Sequence, residues 1–323
     1  MRPPAFWARG GARLPPLLLS PLAALVARAT ARRVARPGWR APVPVICCGN
    51  VTAGGAGKTT LALDLAARLA ARGVAVHCLT RGYGGRVRGV HRVDPLRDTA
   101  ALVGDEPLLL AASAPCFVAA DRAAGARAAC AAGAGALLMD DGLQNPDLVK
   151  DLSLLVIDGA TGFGNGRVIP AGPLRESVVR GAARCRAAVL IGEDRAGALA
   201  ALPAGFPVLR ARLRPDDACR ALAGRPVLAF AGIAHPDKFF ATLEQAGAVL
   251  VGRRRFPDHH PFTPAEIEAV LREARQAAAL PVTTPKDAVR LPPDARGAVG
   301  VAGVSLEWEQ PDAIEALLSE ILP

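Results

Sequence analysis

Residues 52–59 read Thr-Ala-Gly-Gly-Ala-Gly-Lys-Thr, a spacing suited to gripping the phosphates of a nucleoside triphosphate. The run matches G-x-x-x-x-G-K-[ST] except at its first position, where Thr52 replaces glycine. Gly54, Gly55 and Gly57, with Ala53 and Ala56 between them, let backbone N–H groups turn inward onto phosphate oxygens. Lys58 is then set to reach the β- and γ-phosphates and Thr59 to ligate Mg²⁺, and the helix that follows adds the partial positive charge of its N-terminus. Of the 39 basic residues only four are lysines (Lys58, Lys150, Lys238 and Lys286), so chance explains a lysine at this position poorly.

Four further clusters carry chemistry. Asp140-Asp141 closes an apolar run, where an acid of the Walker B type approaches the magnesium of a bound triphosphate. Gly104-Asp105-Glu106-Pro107 precedes a helical stretch, and capping explains it fully: Asp105 as the N-cap and Pro107 in the first turn. Asp258-His259-His260 can bind a metal, act as a base, or form a plain surface turn. The long Gly-rich stretch 162–176 carries Arg167 and Arg175, each able to fork onto a phosphate.

These residues need a frame that brings them to one edge. Apolar runs at 43–48, 74–79, 116–119, 136–139, 154–157 and 188–191 read as strands covered on both faces. They alternate with helices at 58–72, 108–112 and 122–132. The pattern is that of an α/β fold: a P-loop NTPase-type, doubly wound, mostly parallel sheet whose carboxyl edge binds the ligand. Around 195–225 the pattern loosens into Ala, Pro and Arg. A second βα series follows, with strands at 227–231, 249–251, 281–284 and 298–304 and helices at 237–246, 264–278 and 311–321. The expected organisation is an N-terminal segment 1–40, a P-loop core 41–222, and a smaller α/β unit 223–323 closing over the site.

The N-terminal run 14–27 is apolar and flanked by arginines. A spanning helix needs about 20 apolar residues, and this run is shorter and interrupted by Pro15, Pro16 and Pro21. A secretory signal has a similar length, but a loop for ATP, a cytosolic nucleotide, follows within thirty residues. The expectation is an amphipathic helix over 22–33 lying in the membrane plane, with Leu22, Leu25, Val26 and Ala29 in lipid and Arg28 and Arg32 at headgroups. A helix packed on the protein is the alternative. Net charge is +10, which suits an anionic membrane surface, and nucleic acid, favoured by net charge alone, is not an expected partner. The seven cysteines have no C-x-x-C spacing and read as buried free thiols. N-K-x-D, the guanine signature, is absent, which argues against a GTPase switch.

Taken together the motifs resemble the tetraacyldisaccharide 4′-kinases of lipid A synthesis. The resemblance is carried by PVICCGNVTAGGAGKTT (44–60), TRGYGG (80–85), GDEPLLL (104–110), DDGLQNP (140–146), DGATGFGNGRVIPAGPLRE (158–176), FAGIAHPDKFF (230–240), DHHPF (258–262) and TPKDA (284–288). Thr52, an exception to the general motif, is typical of that family. The resemblance implies transfer of the ATP γ-phosphate, with Mg²⁺, to the 4′-hydroxyl of a tetraacylated glucosamine disaccharide 1-phosphate. The setting it implies is the cytosolic face of the inner membrane, where the protein is a peripheral monomer. It makes Asp105 the residue that activates the hydroxyl, His259 its partner from the second unit, and Lys58 the stabiliser of the transferring group. It assigns Thr59, Glu106, Asp140 and Asp141 to the magnesium and phosphate shell, and Gln144, Arg175 and Glu176 to the neighbourhood of nucleotide or headgroup. Two departures stand out. Asn145-Pro146 follows Gln144 where the family often has His, so position 145 does no acid–base work here, and Thr60 replaces a common Pro.

Overall fold

The computed structural model describes residues 4–322. Its strands are β1 (Val45–Gly49), β2 (Val76–Thr80), β3 (Val90–Arg92), β4 (Cys116–Ala119), β5 (Ala136–Asp140), β6 (Leu152–Asp158), β7 (Ala187–Ile191), β8 (Val208–Pro215), β9 (Pro226–Ala231), β10 (Val249–Arg255), β11 (Leu280–Thr283), β12 (Gly300–Val301) and β13 (Val304–Trp308). They form a nine-stranded sheet, order β13-β8-β7-β6-β1-β5-β2-β4-β3, and a four-stranded sheet, order β10-β9-β11-β12. Every pairing is parallel except β3 with β4 and β13 with β8, at the two edges of the large sheet. The expected doubly wound α/β architecture is therefore present.

β1, β2, β4 and β5 are buried along their whole length, because helices cover both faces of the sheet. On one face the helix Lys58–Ala71 lays Leu61, Leu65 and Leu69 against Ile46, Leu138 and Leu154. On the other, Ala126 and Ala129 pack near Leu137, Met139 and Leu155. Small Ala and Leu side chains build this core, whereas the smaller sheet packs Phe230, Phe256 and Phe262 edge to face. Pairing Cys48 with Asp140 sets the P-loop entry beside the acids at the end of β5. Chain order reverses at β1, the switch point where open α/β sheets bind ligands.

Four expectations need correction. A boundary at 222/223 gives the C-terminus to the small unit, but β13 pairs with β8 and the chain returns to the large sheet. Trp308, Ile314 and Leu318 belong to the large core, so the small unit is inserted between β8 and β13. The single strand expected at 298–304 is consequently two short strands in different sheets. β8 carries no apolar run, because buried Leu209 and Ala211 alternate with exposed Arg210, Arg212 and Arg214, which resembles a basic loop. Finally, Cys130 and Cys185 are only part-buried, although all seven cysteines are free.

The N-terminal helix also differs. It runs over Leu14–Val34, 21 residues, long and apolar enough to cross a membrane. Pro15 and Pro16 do not interrupt it because the first turn has no intrahelical N–H bonds to lose, and Pro21 is accommodated inside. Its exposed apolar side chains are Leu14, Leu17, Leu18, Leu22 and Leu25, while Arg28, Arg32 and Arg33 crowd its last turns. Polarity is thus segregated mainly along the axis rather than around it.

Trp308 donates its indole N–H to Asp64 Oδ2 at 3.0 Å and lies under Arg68. Trp308→Ala should destabilise the large unit by about 3 kcal/mol or more in urea unfolding. An unchanged midpoint would show that the C-terminal segment is not part of that core.

Candidate active site

The P-loop leaves β1, and Gly57, at φ +85, turns the chain into the helix Lys58–Ala71. A side chain there would be strained by that φ and would meet Ile191 Cδ1 at 2.6 Å. The loop is pinned from outside by the stretch before Glu176. Ala53 N–H donates to Pro173 O at 2.7 Å, Arg175 N–H donates to Val51 O at 2.7 Å, and Thr52 bridges Leu174. Thr52 Oγ1 accepts from Asn50 Nδ2 at 2.8 Å.

Lys58 is nearly buried. Its Nζ lies 3.3 Å from Asn50 Oδ1, 3.5 Å from Gly54 O and 3.8 Å from Asp141 Oδ1. Asp141, at φ +55, takes a two-pronged fork from Arg175 at 2.7 and 2.9 Å. Burial works against its ionisation, but Lys58 and Arg175 outweigh burial and hold the carboxyl below its usual range. Asp140 has the opposite fate. Burial, together with the negative charge of Glu106, pushes it up to about 7 against the pull of Lys58 and the Thr59 hydrogen bond. Thr59 Oγ1 donates to Asp140 Oδ2 at 3.0 Å, and Asp140 Oδ1 has no partner among the described residues. The end of β5 thus holds one carboxylate answered by cations and one short of them.

Asp105 begins the helix Asp105–Ala111 and does not cap it. Gly104 is the N-cap, at φ +94, and a Cβ there would sit 2.6 Å from Tyr83 O in the 80–85 loop. Freed from capping, Asp105 Oδ2 lies 2.7 Å from His259 Nδ1 and 3.4 Å from Arg290 Nε. His259, at φ +58 in the turn after β10, comes from the smaller sheet's unit. The structure therefore brings together Lys58, Thr59, Glu106, Asp140, Asp141 and Arg175 at the P-loop, and pairs Asp105 with His259.

Three residues expected near nucleotide, headgroup or phosphate have polar atoms engaged within the protein. Gln144 and Glu176 are buried: Gln144 Nε2 donates to Asn50 O at 2.8 Å and Glu176 Oε1 at 2.9 Å, and Arg184 forks onto Glu176. They brace the loop beneath Arg175. Arg167 donates to Ser20 Oγ at 3.0 Å, and Trp7 Nε1 donates to Pro170 O at 3.1 Å, so this part of the loop ties the N-terminal helix to the site. Asn145 makes a local turn, accepting from Asp147 N–H at 3.1 Å. His260 is held by Glu266 at 3.0 Å and stacked on Phe256, which leaves His259 as the member of the pair that faces the large unit.

Two arginines were not anticipated. One is Arg290, buried beside Asp105. Arg122 is 3% exposed at the head of the helix Arg122–Ala131, with Nε unpartnered among the described residues. Burial, with Arg81 nearby, lowers its pKa to about 10. In sequence both resemble the other arginines of an Arg-rich chain.

A family model described as tetraacyldisaccharide-1-P 4′-kinase matches residues 16–322. The chain is 61% identical to a tetraacyldisaccharide 4′-kinase of Gluconacetobacter diazotrophicus, covering 98% of this chain and 97% of that one. It is 58% identical to the enzyme of the same description from Rhodospirillum centenum, covering 100% of this chain and 97% of that one. Among solved structures it is similar to LpxK from Aquifex aeolicus, crystallised as an "apo" form in complex with ATP. The TM-score is 0.76 and the identity 25%, over 95% of this chain and 99% of that one.

The charge at Asp140 has a measurable consequence. The fold retains this proton to about pH 7, whereas the unfolded chain loses it near 3.8. Folding stability therefore falls as pH rises between those values, and the penalty is complete above about 7. Asp140→Asn should raise the melting temperature in EDTA at pH 8, by a gain on the order of 1 kcal/mol or more, with a far smaller effect at pH 5. An equal effect at both pH values would contradict this.

Proposed function

Because the chain belongs to the tetraacyldisaccharide 4′-kinase family of lipid A biosynthesis, we propose that the Asp105–His259 pair serves phosphoryl transfer from ATP to the 4′-hydroxyl of a tetraacylated disaccharide 1-phosphate. The observation that carries this reading is a carboxylate that does not cap its helix, adjacent to the Glu106 whose charge acts on Asp140, and held by a histidine from the smaller unit. Backbone N–H groups of residues 53–57 and the helix N-terminus grip the triphosphate. Lys58 meets charge on the β- and γ-phosphates as it spreads in the transition state.

The acceptor oxygen bonds to the γ-phosphorus as the bond from phosphorus to the ADP oxygen breaks. Its proton passes to Asp105 Oδ1, and His259, on Oδ2, orients the carboxylate. No covalent intermediate is needed, since positioning and charge neutralisation do the work. Asp105 and His259 lie on different units, so their approach assembles the site.

Mg²⁺ fits the residues present. An all-oxygen set of Thr59 and Asp140 suits a hard cation, and the unpartnered Asp140 oxygen beside Glu106 supplies negative charge for it to answer. When bound, the ion would neutralise charge on the triphosphate. Asp141 is engaged by Arg175 and Lys58 and acts one step further out.

Exposed Leu14, Leu17, Leu18, Leu22 and Leu25, followed by arginines, support docking of the N-terminal helix on the cytosolic face of the inner membrane. The Arg167–Ser20 link would keep the P-loop near that surface, where a lipid acceptor resides. The protein acts as a monomer with no nucleic-acid partner in this reading.

With labelled ATP and a tetraacyldisaccharide 1-phosphate, Asp105→Ala should lower kcat by about 100- to 10,000-fold, and Lys58→Ala should abolish transfer. Near-normal lipid phosphorylation in either variant would sink the assignment. Leu18→Glu with Leu22→Glu should release the protein from anionic vesicles in co-sedimentation and leave nucleotide affinity unchanged. Unaltered vesicle binding would remove the helix from the membrane contact.

A further inference from the structure

Arg290 lies outside the phosphate cradle, just after the short helix Pro285–Ala288, and its side chain is only 4% exposed. Each edge of its guanidinium has a partner. Nε faces Lys286 O at 3.1 Å and Asp105 Oδ2 at 3.4 Å. Nη1 donates to Gly232 O at 3.1 Å and His260 O at 3.2 Å, and Nη2 faces Asp287 Oδ1 at 3.1 Å.

Asp287 is fully buried and fixed in turn. Its Oδ1 accepts from Gly232 N–H at 3.0 Å, and its Oδ2 accepts from Thr284 Oγ1 at 2.6 Å. Gly232 O also accepts the backbone N–H of His259 at 3.1 Å, so one carbonyl ties Arg290 and His259 together. The His259 backbone occupies the left-handed region, which a non-glycine residue keeps only when its surroundings hold it there.

The contacts of Asp105 are one-sided. His259 and Arg290 both reach Oδ2, and none of the described residues hydrogen-bonds Oδ1. One oxygen is anchored and the other is free for an acceptor hydroxyl. A planar fork suits this arrangement better than an ammonium, because it can address carboxylates and carbonyls in fixed directions at once.

We propose that Arg290, anchored on buried Asp287, is a positioning residue for phosphoryl transfer: it holds Asp105 Oδ2 and the His259 turn in one arrangement and so keeps Asp105 Oδ1 free for the acceptor. This inference rests on the reading of Asp105 as the proton acceptor. Arg290 touches neither substrate nor nucleotide and acts through Asp105.

The test is steady-state and single-turnover kinetics with labelled ATP on full-length Arg290→Met, Arg290→Lys and Arg290→Met/Asp287→Asn, alone and combined with Asp105→Asn. Removing Arg290 alone strands a buried carboxylate and endangers the fold; the double variant removes both charges and keeps the question answerable. Arg290→Met/Asp287→Asn should lower kcat about 100-fold and leave KM for ATP unchanged, and Arg290→Lys should recover part of the loss. On the Asp105→Asn background, loss of Arg290 should have no further effect, since both act on one step. An unimpaired Arg290→Met/Asp287→Asn, or the same fold-loss with and without Asp105, would overturn the proposal. If Asp105→Asn is itself fully active, the reading of Asp105 as base fails. If it is inactive while the Arg290 variants are normal, only the positioning role fails.

Discussion

The 2.7 Å contact between Asp105 Oδ2 and His259 Nδ1 joins residues 154 positions apart and in different units, and much of the architecture is needed to make it. On one side Gly104 ends the short helix before it with a positive φ, so Asp105 starts a new helix without capping it. On the other, the Phe256–Phe262 turn seats His260 in the small core and leaves His259 pointing across the seam. Insertion of the small unit between two antiparallel strands of the large sheet anchors it at both ends. That double attachment limits how far His259 can stray from the P-loop edge.

The P-loop edge is governed by a second constraint, the management of negative charge in a dry place. Asp141 is neutralised by Lys58 and Arg175, and Arg175 rests on Gln144, which leans on Glu176, itself held by Arg184. Asp140 receives only a hydroxyl and pushes against Glu106. A chain of fixed charges thus ends in one carboxylate that lacks a cation, next to a cradle of N–H groups built for anions. Desolvation makes each of these interactions stronger than it would be in water. Tight packing of the 167–176 loop on residues 51–53 carries the same rigidity outward to the N-terminal helix.

Much of this was legible in the sequence. Fully buried strands announce themselves as unbroken apolar runs, so β1, β2, β4 and β5 were found within a residue or two, and the P-loop is a local motif whose spacing is its geometry. What failed was whatever depends on distant partners. β8 presents arginines outward to Glu307 of β13 and Glu309 just past it, nearly a hundred residues later, and no local pattern signals that pairing. Asp105 read equally well as a cap because the competing interaction comes from His259. Arg167 reads as a phosphate fork because nothing local signals Ser20 of the N-terminal helix, which accepts its hydrogen bond. Arg290 and Arg122 were invisible because burial, not residue type, sets them apart from the other arginines.

A crystal structure of the full chain with a non-hydrolysable ATP analogue and Mg²⁺ tests the central claim most directly. The γ-phosphate should lie in the loop of residues 53–57 against Lys58 Nζ, with the ion on Thr59 Oγ1 and Asp140. Asp105, still paired with His259, should sit on the open side of the γ-phosphorus, within reach of an oxygen attacking in line with the departing ADP. Asp105 turned away from that side, or separated from His259 when nucleotide is bound, would contradict the assignment of the base.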